Sequence, residues 1–88
     1  MVRIRYVGNF IKHFNKRIEP HPNLNQKFDE RIKLFLASPN HPILKEHQLK
    51  GDKIGFRAFS ITGDIRVVYY TKEDLVCFVD IGTHNQVY

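Results

Sequence analysis

The 88 residues suffice for one modest hydrophobic core, so we expect a single domain over residues 1–88. The composition, 42 % apolar and 26 % charged, is ordinary for a folded soluble protein. No apolar run approaches the length of a membrane span, and the basic N-terminus lacks the apolar stretch of a secretory signal, so we expect a cytoplasmic protein.

The net charge of +5 is unevenly distributed along the chain. Residues 1–53 carry eleven Lys and Arg against five Asp and Glu, whereas residues 54–88 carry three against four. A basic N-terminal half can attract a polyanion, with RNA or DNA the leading candidates. The same charge can also serve solubility alone, so on this evidence both explanations stay open.

The chain begins with a predicted strand and a predicted helix. Residues 3–7 alternate polar and apolar, as a strand with one buried face does. Apolar residues then recur at helical spacing, and these are Phe10, Ile11, Phe14 and Ile18. Pro20 and Pro22 end this helix because proline removes a backbone donor and restricts the residue before it.

A second amphipathic helix follows the prolines. Its apolar stripe consists of Leu24, Phe28, Ile32, Phe35 and Leu36. Asn23 is a predicted N-cap, with Gln26 three residues later in the position of a capping box. Two amphipathic helices joined by a short Pro-rich turn form an αα-hairpin, whose apolar side we expect to pack on a sheet.

The rest of the chain predicts that sheet. Residues 54–61, 65–70 and 75–81 are rich in β-branched and aromatic residues and are separated by two turn signals. The order is β-α-α-β-β-β. We therefore predict an α+β fold with a helical hairpin packed on a mainly antiparallel four-stranded sheet.

Two arginines lie within predicted strands. Arg66 is in the middle of an apolar strand, where a charge cannot be buried unpaired. It either pairs with a carboxylate such as Asp64 or Asp80, or it faces solvent and receives a ligand anion. Arg57, on the neighbouring strand, favours the anion, because two forked guanidinium groups suit a phosphate.

Histidines lie at both ends of the predicted sheet. His47 precedes it and His84 follows its last strand, although each taken singly is also explained as an ordinary surface residue. The chain has no histidine spacing typical of a metal site, and the single Cys77 cannot form a disulfide or a cysteine-based zinc site within the chain. We therefore expect neither a metal nor another cofactor.

These side chains together suggest cleavage of RNA without a metal. Attack by the ribose 2′-OH requires a base, a cation for the charge on phosphorus and an acid for the departing 5′-oxygen. Histidine suits either proton transfer, Asp64 could act as a base or orient a histidine, and arginine suits the charged transition state.

Several motifs in residues 44–88 resemble the RelE/ParE superfamily of bacterial type II toxins, and most closely its YafQ-like mRNA interferases. The motifs are LKEHQLKG (residues 44–51), GFR (55–57), DIRVVY (64–69), DIGTH (80–84) and the aromatic residue Tyr88. The HxLxG and GTH elements at this separation make the resemblance fairly specific. The first half of the chain fits only the pattern of the family's helical hairpin.

The resemblance implies a strand, two helices and a three-stranded meander, and a toxin that cleaves mRNA on the ribosome without metal until a cognate antitoxin binds it. It implies that His47, Asp64 and His84 transfer protons, that Arg66 holds the phosphate and that Tyr88 contacts the base or assists catalysis. Further phosphate-binding candidates are Arg57 and Lys50.

The sequence departs from the resembling families on the first strand of the meander. YafQ-like toxins have a histidine where this chain has Ser60, and RelE-like toxins have two lysines where it has Arg57 and Phe59. The division of base and acid roles therefore stays open. Two alternatives remain: a ParE-like toxin that poisons DNA gyrase, and a non-catalytic or decayed RNA-binding toxin that still binds an antitoxin.

Overall fold

The computed structural model describes residues 3–88, which form three helices and five strands. The helices are α1 (Phe10–Arg17), α2 (Pro22–Ala37) and α3 (His84–Val87). The strands are β1 (Arg3–Tyr6), β2 (His47–Gln48), β3 (Arg57–Ser60), β4 (Ile65–Lys72) and β5 (Leu75–Thr83). Within these residues, no helix has both the length and the apolar character needed to cross a membrane.

All five strands form one sheet in the order β1-β5-β4-β3-β2. β5 runs parallel to β1, and every other neighbouring pair is antiparallel. The predicted α+β class, with a helical hairpin on a mainly antiparallel sheet, is confirmed. The predicted count of four strands is one too few, because β2 has only two residues and gives no periodic signal.

The helices α1 and α2 cover one face of the sheet, which we call the hairpin face. The apolar stripes of both helices meet the sheet there, and the Phe35 ring stacks on Phe59 with 4.4 Å between ring centroids. Phe59 and Phe78 are fully buried. Burial of each such side chain contributes about 1.5–3 kcal/mol, so this layer supplies most of the stability.

The helices differ from the prediction in detail. α2 begins at Pro22 with His21 as the N-cap residue, so Asn23 lies inside the helix and does not cap it. Proline suits the first helical position because its missing N–H would have no partner there. Ile11 and Leu36 belong to the predicted stripes but remain 55 % and 44 % exposed.

The opposite face of the sheet, which we call the α3 face, carries a smaller apolar cluster. Successive strand residues point to opposite faces, so Ala58 and Val68 lie here while Phe59 and Val67 lie on the hairpin face. The cluster consists of Leu49, Ala58, Val68 and Val87. Because Val87 belongs to α3, its burial holds the end of the chain against β4 and β5.

Candidate functional site

The α3 face places Arg66 between two small residues. Arg66 pairs with Ser60 of β3 on one side and with Gly82 of β5 on the other. The side chains of Arg17 and Gln86 approach Gly82 closely, and Arg66 itself is only partly buried. An arginine in this setting can receive an anion from solvent.

The Arg66 side chain makes no hydrogen bond or ion pair to any other residue in the range 3–88. Of the two carboxylates considered for it, Asp80 instead contacts the His13 ring, with 2.5 Å between Oδ1 and Nδ1. Asp64 is exposed in the loop before β4. The structure therefore contains no ion pair between Arg66 and either of these carboxylates.

The short helix α3 brings the end of the chain over this surface. Thr83 and Gln86 form a capping box, in which the Thr83 N–H donates to Gln86 Oε1 at 2.8 Å. One helical turn then carries the chain from His84 to the buried Val87. As a result, His84 and Tyr88 lie on the same side of the sheet as Arg66.

Tyr88 lies between the two histidines. Its ring centroid is 4.5 Å from that of His84 and 6.5 Å from that of His47, edge to face in both cases. Partial burial raises the pKa of the Tyr88 phenol, and the positive charge of Arg66 opposes that change. Tyr88 is therefore a neutral phenol near pH 7, and it is close enough to Arg66 for the two to interact electrostatically.

His47 is exposed in β2, and one of its ring nitrogens is held by the backbone. Nδ1 lies 2.9 Å from the carbonyl oxygen of Lys45. A carbonyl oxygen only accepts hydrogen bonds, so Nδ1 carries the proton and Nε2 of the neutral ring keeps its lone pair. This tautomer leaves Nε2 free to accept a proton from a ligand.

Lys50 lies on the same side of the molecule as Tyr88. Both residues line a pocket of about 270 Å³, together with Leu49, Asp52 and Lys53. Two lysines beside an aromatic ring suit the phosphate and base of a nucleotide.

Asp64 is placed less directly than the histidines. It lies in the exposed loop that enters β4, and Ile65 pairs with Thr83 at the end of the ladder. Their chain neighbours, Asp64 and His84, therefore emerge at the same end of these two strands. The Asp64 carboxylate makes no hydrogen bond or ion pair within residues 3–88.

The prediction that Arg57 lies beside Arg66 is wrong. Arg57 pairs with Tyr69 in the sheet and alternates with Ala58, so it points to the hairpin face. Its Nη2 donates to Glu46 Oε1 at 2.8 Å, and its Nε also donates to the same carboxylate. The two arginines lie on opposite faces and cannot hold one phosphate.

Glu46 is the residue of this region that sequence reasoning missed. Its side chain is only 8 % exposed, and it also accepts a hydrogen bond from the Tyr69 hydroxyl at 2.6 Å. The hydrogen bond from Arg57 lowers the pKa of this carboxyl, burial opposes that effect, and Tyr69 adds to the lowering. The available signal was the position of Arg57 two residues before the apolar Phe59, which puts both side chains on one face, because an arginine on a core-facing side needs a carboxylate.

Among residues 3–88, no group of three or more His, Cys, Asp and Glu side chains is close enough together to hold a metal ion. Residues 2–88 match the family model described as "Bacterial toxin of type II toxin-antitoxin system, YafQ". The chain belongs to the YafQ toxin family. The resemblance predicted from residues 44–88 is thereby confirmed, and it extends over the N-terminal half as well.

Two solved toxin structures have the same fold. A copper-bound mutant toxin from Helicobacter pylori is 26 % identical, with a TM-score of 0.84 over all of both chains. The Escherichia coli DinJ-YafQ toxin-antitoxin complex contains a chain 25 % identical, with a TM-score of 0.80 over 99 % of this chain and 97 % of that one.

One further comparison concerns the fold alone. YafQ from E. coli strain BL21(DE3) is 23 % identical, with a TM-score of 0.82 over all of this chain and 99 % of that one. No curated protein sequence gives a significant match.

Proposed function

We propose that this YafQ-family toxin is a ribosome-dependent endoribonuclease that cleaves mRNA by attack of the ribose 2′-OH on the adjacent phosphate. The observation that supports this most is the grouping of His47, His84 and Tyr88 on the face that carries Arg66. These groups have the chemistry of a base, an acid, an aromatic platform and a cation.

His47 acts as the general base. Its Nε2 takes the proton of the 2′-OH while the 2′-oxygen forms a bond to phosphorus. The hydrogen bond from Nδ1 to the Lys45 carbonyl favours the tautomer with Nε2 free and stabilises the imidazolium that forms. This hydrogen bond supports His47 in the role of base, which the sequence left open.

Arg66 neutralises the charge that develops on the phosphoryl oxygens. It has no carboxylate partner within residues 3–88, so its guanidinium donors are available to the substrate. A forked donor beside a pentavalent phosphorus stabilises the transition state more than the ground state, which is what accelerates the step.

His84 completes the reaction as the general acid. In its protonated form it gives a proton to the 5′-oxygen as the P–O5′ bond breaks, which leaves a 2′,3′-cyclic phosphate and a 5′-hydroxyl. In the RNA-bound protein, Asp64, at the same end of the β4–β5 ladder, accepts a hydrogen bond from His84, and Tyr88 stacks on the base. Every proton and charge is handled by a side chain, so we expect cleavage in the presence of EDTA.

Lys50 and the basic N-terminal half hold the RNA. Lys50 binds a backbone phosphate beside Tyr88, and exposed lysines of the two helices contact ribosomal RNA. We also propose a cognate antitoxin that binds this toxin in an assembly and blocks the site. The support for a partner is the family and the similarity to the toxin of the DinJ-YafQ complex.

The test is cleavage of mRNA on translating ribosomes, with mapping of the new RNA ends. We expect wild type to produce ends bearing a cyclic phosphate, and His84→Ala and Arg66→Ala to lower the rate by about 100-fold or more. Lys72→Ala, which removes a distant exposed lysine, is the matched control and should cleave like wild type. Intact mRNA with wild type would refute the enzyme function.

Ser60 favours a second candidate function, a toxin that binds RNA and antitoxin without cleaving. Ser60 is buried beside Arg66, where the YafQ-like pattern has a histidine. Unchanged RNA binding by His47→Ala, with no cleavage by wild type, would support it. Inhibition of supercoiling by DNA gyrase in a parallel assay would instead support a ParE-like toxin.

A further inference from the structure

The carboxylate of Glu46 is tied to two strands of the sheet. Arg57 of β3 donates to it through Nε and Nη2, and the Tyr69 hydroxyl of β4 donates to Oε2. All three donors lie on the hairpin face. The next residue along the chain, His47, pairs with Ala58 and lies on the α3 face.

The two residues that donate to Glu46, Tyr69 and Arg57, do not have equal freedom to move. Tyr69 is 4 % exposed, and its ring contacts Phe35 and Phe59 at centroid distances of 5.1 and 5.8 Å. Arg57 is held within the β3–β4 pairing but its side chain is 43 % exposed. Tyr69 therefore links Glu46 to the rigid core, and Arg57 supplies the compensating charge.

The segment that Glu46 holds lies between the buried Leu44 and Leu49, and only a very short strand pairs it with the sheet. β2 contributes only two residues to the ladder with β3, at the edge of the sheet. Lys45, just before Glu46, has a left-handed backbone with φ 50° and ψ 38°. Such a conformation is unfavourable for lysine and persists only where surrounding contacts impose it.

The Lys45 carbonyl is the link between this segment and the imidazole of His47. That carbonyl accepts from His47 Nδ1, so the direction in which it points sets both the ring orientation and the tautomer. Its direction depends on the peptide between Lys45 and Glu46, which the Glu46 side chain anchors from the other face of the sheet.

We propose that Glu46, held by Arg57 and Tyr69, is a positioning residue that fixes the orientation and tautomer of His47. The inference rests on the proposed role of His47 as the base. It gives Arg57 an indirect role, because this guanidinium holds Glu46 on the hairpin face, and Glu46 in turn positions His47. Arg57 itself does not touch RNA.

If the contact between Glu46 and Arg57 were only a structural ion pair, the expected effects of breaking it would differ. Loss of such a pair lowers stability and leaves the chemistry of folded molecules unchanged. Loss of a positioning contact changes the state of His47 in molecules that remain folded. The two cases are separated by measuring His47 itself and by comparing the rate at saturation with the concentration needed for half-saturation.

The variants are Glu46→Gln, which keeps the shape and removes the charge, and Tyr69→Phe, which keeps the ring and removes one donor. His13→Gln is the control, because it breaks the partly buried contact with Asp80 between α1 and β5 and touches nothing at β2. NMR spectra of the histidine ring nitrogens report the tautomer of His47, and contacts between the His47 and Tyr88 rings report its orientation. Thermal unfolding confirms that each variant is folded.

We expect a single His47 tautomer, protonated at Nδ1, in wild type and in the control, and a mixture in Glu46→Gln and Tyr69→Phe. Cleavage at saturating ribosomes should fall by about tenfold in these two variants, with half-saturation nearly unchanged. Identical His47 spectra in wild type and both variants would overturn the proposal. If wild type cleaves no RNA, the proposed function fails, and the spectra still decide whether Glu46 positions His47.

Discussion

At the scale of single residues, Gly82 is the position where α1, β5 and α3 meet without room for a side chain. Arg17 Nη1 donates to the Ile81 carbonyl at 2.8 Å on one side, and Gln86 folds back to cap α3 on the other. A Cβ atom on Gly82 would lie 2.6 Å from both Arg17 Nη1 and Gln86 Oε1. The placement of His84 and Tyr88 therefore depends on the absence of a side chain here.

We predict that Gly82→Ala destabilises the protein and displaces α3. The added methyl group must push aside a charged hydrogen bond and a helix cap, so we expect the free energy of unfolding to fall by about 1–3 kcal/mol. Urea denaturation measures this change, and the proposed RNA cleavage should fall with it.

Gly63→Ala is the matched control for Gly82→Ala. A Cβ atom at Gly63 meets nothing within 4 Å, and its φ lies outside the left-handed range, so alanine fits there without strain. Stability at or slightly above that of wild type is expected, because alanine restricts the unfolded chain. Equal losses at both glycines would show that crowding at Gly82 is not the cause.

The residue chemistry of the candidate site could be predicted from sequence only in part. A mid-strand Arg66 needs a partner or a ligand, and the structure contains no protein partner for it within residues 3–88. Arg57 was misplaced because its residue type was considered without its face of the strand, although a residue two positions before Phe59 shares the face of Phe59. Distances between His47, His84 and Tyr88 depend on the strand register, which residue types alone do not specify.

At the scale of elements, the two that carry the histidines are the ones that the sequence could not reveal. β2 has two residues and α3 has four, and both are shorter than the periods from which strands and helices are recognised. Tertiary contacts form them: Glu46 ties the start of β2 to the sheet, and Val87 ties α3 to the smaller apolar cluster. The longer elements follow their own periodicity and were predicted.

We predict that the contribution of Glu46 to stability depends on pH in the acid range. Arg57 lowers the pKa of Glu46 below its ordinary value of 4.5, against the effect of burial. The folded protein therefore holds this proton less tightly than the unfolded chain. The stabilisation is complete above pH 4.5 and is lost as the pH falls through the lowered pKa of the folded state.

The measurement is urea denaturation of wild type and Glu46→Gln from about pH 7 to about pH 3. We expect wild type to be more stable by about 1–2 kcal/mol at neutral pH, and the difference to shrink as the solution is acidified. Glu30→Gln, which removes an exposed carboxylate 3.8 Å from Lys27, is the control. A difference that stays constant with pH would contradict the assignment to Glu46.

At the scale of the whole molecule, fold class and charge were both accessible from the sequence. Helical spacing ends at Leu36 and strand-like runs follow after residue 53, which is enough to predict a hairpin packed on a sheet. The same boundary separates the basic half of the chain from the slightly acidic half. In the folded molecule, part of this positive charge is presented by α1, where Lys12 and Lys16 are exposed one turn apart.

We predict that these two lysines contribute to ribosome binding through electrostatics and not to the chemical step. Reversing both, as Lys12→Glu with Lys16→Glu, replaces attraction to RNA phosphates by repulsion. The dissociation constant should rise by about tenfold or more at low salt, and the gap from the parent protein should narrow as salt is added. Binding is measured in a His84→Ala background so that the mRNA stays intact.

A paired measurement separates binding from catalysis in this prediction. With His84 restored, the Lys12→Glu and Lys16→Glu variant should cleave at a nearly wild-type rate once ribosomes are saturating, because neither lysine lies on the α3 face with Arg66 and the histidines. A lower rate at saturation would mean that α1 acts on the site itself, through its Arg17 contact with the Ile81 carbonyl beside Gly82. If the dissociation constant and its salt dependence equal those of the parent, the ribosome-binding surface lies elsewhere on the molecule.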